Sequence, residues 1–330
     1  MNKFNFTQRH LLLTALLFAI AISYIPAQAK PFRIVNDDVI IDQSGRQIHV
    51  SKRFERIISL YGAHTENLFA LGVDRKIIGV THNEVYPPAA SNKPVFSYHD
   101  DPEKFLVARP DLVLIRPMID RAYAQLITRL EKSGITVLSL QPANVNEMFT
   151  YWKILGILTG TENRADQMTL HFETSAREFK SLSQPIENKK RVYFEAMHSQ
   201  MKTFTSQAMA IFALECAGGI NIAPDAESSR GTNIGIYGKE HILSHADEID
   251  VYLAQSGVMN HPTLSLIKNE PGFNAIKAIK NNRIHTIDEM IVSRPSFRLL
   301  NGIYEIGFIL YPNIFDQKAQ NILKRAYAFK

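Results

Sequence analysis

Cysteine is almost missing from this chain. Cys216 is the single one among 330 residues. One thiol closes no internal disulfide, so cross-linking does not stabilise the fold. Cys216 lies in the apolar segment 211–217 and is expected to be a small buried hydrophobe. Other absences exclude functions. There is no G-x-G-x-x-G and no P-loop, so nucleotide binding has no motif behind it. There is no H-E-x-x-H, C-x-x-C or G-x-S-x-G either, and no nucleophile–base–orienter set, so no catalytic residue is assigned. The 11 histidines are scattered. His241 and His245 share one face of an expected helix, but no third ligand stands close by, and no protein metal site or cofactor is expected. No basic stripe interleaves with aromatics, which argues against nucleic acid as a partner.

One apolar run is long, and it stands at the start. Leu11–Ile22 follows Lys3 and Arg9 and precedes Pro26-Ala27-Gln28-Ala29, a small-x-small cleavage site. Residues 1–29 are therefore expected to be a cleavable signal peptide and the mature protein periplasmic. The run is short for a bilayer span, and no cysteine follows it to be acylated. Losing two basic residues lowers the formal net charge from +5 to +3.

The remaining chain repeats itself. Arg56–His64 opens a stretch through Leu71-Gly72 to Ile77–Val80, and Arg191–His198 opens another through Ala217-Gly218-Gly219 to Ile220–Ala223. Each is a basic residue, an apolar run, a His-bearing loop, a helical segment ended by Gly, and another apolar run. Short β-branched runs at Ile57–Leu60, Ile77–Val80, Leu112–Ile115 and Thr136–Leu140 predict buried parallel strands. Thr65 is the expected N-cap of a helix over Glu66–Leu71. The fold class expected is α/β, with two Rossmann-like lobes joined by a long helix and a ligand cleft between them. The divisions are a lead-in over 30–54 containing a hairpin, an N-terminal lobe over 55–143, connecting helices over 144–184 and a C-terminal lobe over 185–330. A helical connector resists bending, so a small tilt between lobes is expected rather than a large hinge closure.

Several segments reinforce one another. Arg56–Leu60 through Gly62-Ala63-His64-Thr65-Glu66, then Gly79-Val80-Thr81-His82 with Tyr86-Pro87-Pro88, resembles the iron-siderophore/vitamin B12 family of periplasmic binding proteins. So does Glu103 ahead of Ala108-Arg109-Pro110-Asp111-Leu112-Val113. The resemblance covers roughly 55–315. It implies a substrate-binding component that delivers a metal chelate to an inner-membrane ABC permease and its ATPase, acting as a monomer. A ferric siderophore is the first cargo considered, cobalamin the second and haem the third. It also implies one glutamate on each lobe that docks to permease arginines, at Glu103 and Glu240. A rival class is a periplasmic metal- or chelate-modifying enzyme, with His82, His99 and His198 as its candidate ligands or bases.

Ligand contacts are expected from loops beyond the strands' carboxyl ends. From the first lobe these are Tyr61, His64, His82, Tyr86, Tyr98 and Arg116. From the second they are His198, Lys202, Arg230, Tyr237, Arg294 and Arg298. Aromatics suit a flat or apolar chelate, and arginines pair with its anionic oxygens. Arg116 and Arg294 each precede a proline, which favours extended backbone, and they rank first as opposed cations of the two lobes.

Overall fold

The computed structural model describes residues 31–329 except Asp37, Asn83 and Arg230. The expected signal peptide over 1–29 and the candidate Arg230 therefore lie outside the described residues. The lead-in forms three antiparallel strands, β1 (Arg33–Asn36), β2 (Val39–Ile41) and β3 (Gln47–His49). Its turn is fastened to the first lobe by Arg46, which pairs with Asp42 at 3.0 Å, Asp120 at 2.5 Å and Glu131 at 2.5 Å.

The first lobe is built on β4 (Ile57–Ser59), β5 (Ile77–Val80), β6 (Leu112–Ile115) and β7 (Thr136–Ser139), all parallel in the order β5-β4-β6-β7. Side chains alternate between faces as strand geometry requires. Ile57, Leu112 and Leu114 join the main core, while Ile58, Val113 and Ile115 join a second cluster with Phe96, Phe105 and Leu126. These strands stand where the β-branched runs place them.

The connector is a helix over Val145–Thr159 followed by one over Glu162–Ser183. Asn144 caps the first, its side chain accepting from the Glu147 amide at 2.9 Å. Gly160, at φ 75°, ends it in the left-handed conformation. The second helix has 22 residues and so runs about 33 Å along the molecule.

The second lobe holds β8 (Arg191–Met197), β9 (Lys202–Phe204), β10 (Ile220–Asn221), β11 (Glu227–Ser228), β12 (Ile234–Ile236), β13 (Val251–Ser256) and β14 (Ile284–Asp288) in one sheet. β8, β13 and β14 are parallel, as the repeat predicts. β9, β12 and β11 extend the sheet antiparallel, an addition without counterpart in the first lobe. One apolar core runs from β4 and β6 through Trp152 and Phe172 to Leu214, Ile303 and Ile322. Cys216 is buried within it, and burial pushes its thiol up to about 12. Among the described residues no helix is long and apolar enough to cross a membrane.

One helix start differs from the sequence expectation. The helix after β4 spans Gly62–Ala70 with Tyr61 as its N-cap, so Thr65 lies inside it. Thr65 is buried and meets the Ser59 hydroxyl at 2.7 Å instead of capping. Gly62 carries the reason. The Arg294 guanidinium lies where a side chain at this position would stand, so the helix begins on a residue that has none.

Candidate functional site

Segments that follow β4 and β14 meet between the lobes, where Glu66 bonds to residues 294–298. On the first-lobe side Tyr61, extended at φ −152°, leads from β4 into its helix. The Arg116 guanidinium lies over the Tyr61 ring, 5.0 Å from its centroid, and Met118 is exposed next to it. Arg116 is extended before Pro117, as that proline requires. Burial raises the Tyr61 phenol above its ordinary value, against the pull of Arg116 and Arg294. The Tyr98 ring packs at a tilt against His99 and Tyr123, at 4.6 and 4.7 Å between centroids, and His82 is exposed on the loop after β5. On the second-lobe side Val258 and Met259 are exposed on the loop after β13.

The centre of the interlobe contact is Glu66, which is almost fully buried. Its carboxylate accepts from Arg294 Nη1 at 2.9 Å, Ser296 Oγ at 2.9 Å, Arg298 Nε at 3.0 Å and Arg298 Nη2 at 2.9 Å. Asn67 adds a bond to the Pro295 carbonyl at 2.8 Å. The Arg298 guanidinium also lies 4.0 Å from the centroid of the Tyr86 ring. A cavity of about 280 Å³ opens beside this latch, lined by Glu66, Phe69, Tyr86, Arg164 and Arg298. Glu84 completes the cluster. One of its oxygens takes the Thr65 hydroxyl at 3.2 Å, and the other is buried with no partner among the described residues. Burial raises Glu84 to about 7. A second interlobe bond joins the Asn233 side chain of the β11–β12 hairpin to the Ala143 carbonyl at 2.7 Å.

The candidate ligand residues therefore separate. Tyr61, His82 and Arg116 lie just beyond the ends of β4, β5 and β6, Tyr98 lies on the segment that follows β5, and Lys202 opens β9, donating to Ser229 Oγ at 3.1 Å. Tyr86, Arg294 and Arg298 are drawn into the latch. Arg294 is thus paired with a first-lobe acid and is not a free cation opposing Arg116. His64 is fully buried in its helix, its ring nitrogens meeting the Tyr151 hydroxyl at 2.8 Å and the Ile115 carbonyl at 3.0 Å. Burial lowers it to about 4, so it is a neutral core residue with no ligand-facing atom. Tyr237 is buried against Tyr193 and donates to the Ile222 carbonyl at 3.3 Å. His198 is buried beside Glu195. The sequence reading missed Glu66. The available signal was the one acid of segment 62–71, which holds no Lys or Arg to pair with it.

Glu103 and Glu240 are exposed, each in the first turn of a short helix, Pro102–Ala108 on one lobe and Lys239–Ser244 on the other. Among the described residues no group of three or more His, Cys, Asp or Glu could hold a metal ion. His241 meets the Tyr237 carbonyl and His245 meets Glu248, so the two do not converge.

Two lobes built on largely parallel sheets and joined by a helical connector are the architecture of two-lobed periplasmic binding proteins. The periplasmic binding protein family model matches residues 57–290, and the chain belongs to that family, in its iron-siderophore/vitamin B12 class. It is similar to the uncharacterized ABC transporter substrate-binding lipoprotein YvrC of Bacillus subtilis, 26% identical over 88% of this chain and 91% of that one. It is also similar to the vitamin B12-binding protein of Vibrio campbellii, 23% identical over 76% of this chain and 88% of the other. A possible iron-binding periplasmic solute-binding protein from Staphylococcus epidermidis superposes with a TM-score of 0.69 at 25% identity, covering 79% of this chain and all of its own. These relatives are solute-binding proteins and not enzymes, and this chain is of their kind.

Proposed function

We propose that the chain is the extracytoplasmic substrate-binding subunit of an ABC importer, working with a membrane permease and its ATPase, and that its cargo is a metal chelate. A ferric siderophore is the first choice. The observation that carries this reading is the pair of exposed acids, Glu103 and Glu240, one on each lobe of a cleft. Two carboxylates on separate rigid bodies each accept a bidentate arginine, which fixes orientation as well as affinity. Cleavage after Ala29 and release to the periplasm as a monomer belong to the same reading. So do lobes over 55–143 and 185–330, carried on connecting helices over 144–184. Tyr61, Arg116 and the exposed apolar side chains Met118, Val258 and Met259 supply aromatic, cationic and apolar contacts for a chelate that brings its own metal ligands. Lys202 adds a cation from the second lobe, and the sequence candidate Arg230 belongs to the same reading.

Thermal-shift measurements with a ferric trihydroxamate, a ferric tris-catecholate, cobalamin and haemin test the cargo. The matching chelate stabilises the native state by about 2.7 kcal/mol at one hundred times its Kd. No shift with any of the four overturns the chelate reading. The double variant Glu103→Ala/Glu240→Ala is expected to abolish uptake in cells while keeping chelate affinity within about twofold, the scale of changes at solvated sites away from a ligand. Lost affinity would move these acids into the cleft. Cobalamin is the second reading, favoured by the vitamin B12-binding relatives.

A further inference from the structure

The second lobe contains a polar chain that the cleft does not use. Glu195, wholly buried on β8, accepts from His198 Nδ1 at 2.7 Å, from the Asn260 side chain at 3.1 Å and from the Tyr252 hydroxyl. Asn260 closes the loop after β13, and its Oδ1 accepts from the His198 amide at 3.0 Å. On the opposite side of the ring, His198 Nε2 is buried with no hydrogen-bond partner among the described residues. The nearest acid oxygen is Glu270 Oε2 at 3.7 Å. Glu270 in turn pairs with Lys239, the first residue of the helix that carries Glu240. Side chains thus run from the loop at Asn260 to the helix of Glu240, with one 3.7 Å step between His198 Nε2 and Glu270.

A neutral imidazole does not join the two ends. With its proton on Nδ1 for Glu195, its Nε2 presents a lone pair to the Glu270 carboxylate. With both nitrogens protonated, each faces a carboxylate. The charged and titratable groups facing His198 are Glu195 and Tyr252 from the strands, Glu270 from the turn before Phe273 and Lys239 from the docking helix. Two acids against one lysine leave this half-buried cluster short of one positive charge, which the imidazolium supplies.

We propose that His198, as an imidazolium, is a positioning residue that fastens the docking helix at Glu240 to the cleft loop at Asn260. The proposal rests on the reading of Glu240 as a docking acid. The Glu195 hydrogen bond raises the pKa of His198 above its ordinary value against the opposing effect of burial. The brace is therefore complete below the ordinary histidine value of 6.5 and is lost as pH rises through the higher folded value.

Hydrogen-exchange mass spectrometry on the full mature chain, without ligand or permease, reads both ends of the brace at about pH 6 and about pH 9. After correction for intrinsic rates, segment 239–244 is expected to open at the higher pH, while 257–260, still held through Asn260 and the Nδ1–Glu195 bond, stays protected. The expected change is about tenfold, the scale of one buried hydrogen bond to a charged group. His198→Asn keeps a donor for Glu195 but cannot ionise, and is expected to leave 239–244 open at both pH values with no step between them. Glu270→Gln, on a less buried side chain, should free 239–244 at about pH 6 and leave 257–260 protected. Equal protection of 239–244 in the wild type at both pH values, or the same pH step in His198→Asn, overturns the proposal. Neither ligand nor permease enters the readout, so its failure is separate from failure of the import reading.

Discussion

Glu66 shows how much one side chain decides. Four donated hydrogen bonds converge on it, three of them from guanidinium groups that are themselves largely buried. Removing the acid leaves two cations without their counter-charge. Glu66→Ala is therefore expected to lower stability by about 3–5 kcal/mol, read from urea denaturation midpoints. Its partners lie at the far end of the chain, at 294–298, which is why no local pattern announces the pairing. His64 was misplaced for a similar reason. A histidine after a strand end resembles a ligand contact, and only the packing of Tyr151 and Ile115 around it shows that both its nitrogens are used internally. Glu84 offers a pH test. Its folded value of about 7 lies above the ordinary 4.5, so the unfolded chain loses this proton first. Wild type should lose stability relative to Glu84→Gln as pH rises from about 4.5 to about 7, by roughly 3 kcal/mol in all, with a constant gap above that. Urea midpoints of the two proteins at about pH 4.5 and about pH 8 check the slope.

At the scale of elements, the parallel strands and connector helices were legible because burial on both faces leaves unbroken β-branched runs, and because Asn144 and Gly160 punctuate the helix ends. The antiparallel addition β9–β12–β11 was not. Its strands have two or three residues each, too few for any alternation to register, and they are defined by the neighbours they pair with. The final helix, Gln317–Ala326, was also overlooked, although Ala319, Ile322 and Ala326 trace a buried stripe. The start of the Gly62–Ala70 helix is where element and latch constrain each other. Gly62→Val puts a side chain into the Arg294 guanidinium, and about 1–3 kcal/mol of destabilisation is expected in thermal unfolding.

On the scale of the whole molecule, the two lobes share a continuous apolar core through the connector helices, and two polar contacts flank the cleft, at Glu66 and at Asn233. A shared core couples the lobes. Calorimetry is expected to show one transition, with van't Hoff and calorimetric enthalpies equal; two resolved transitions would show independent lobes. The repeat in the sequence predicted two similar halves. It could not show that they are fused through Trp152 and Phe172, because the helices that do so belong to neither repeat.

Trp152 is the single tryptophan of the chain, fully buried where Phe172 from the connector and Phe297 from the second lobe meet its ring. The protein therefore carries one indole fluorophore, excitable apart from its tyrosines at the red edge and fixed at the junction of its halves. Ferric siderophores, corrins and porphyrins are all coloured, so each would drain excitation from that indole by energy transfer. A colourless solute would leave its emission bright.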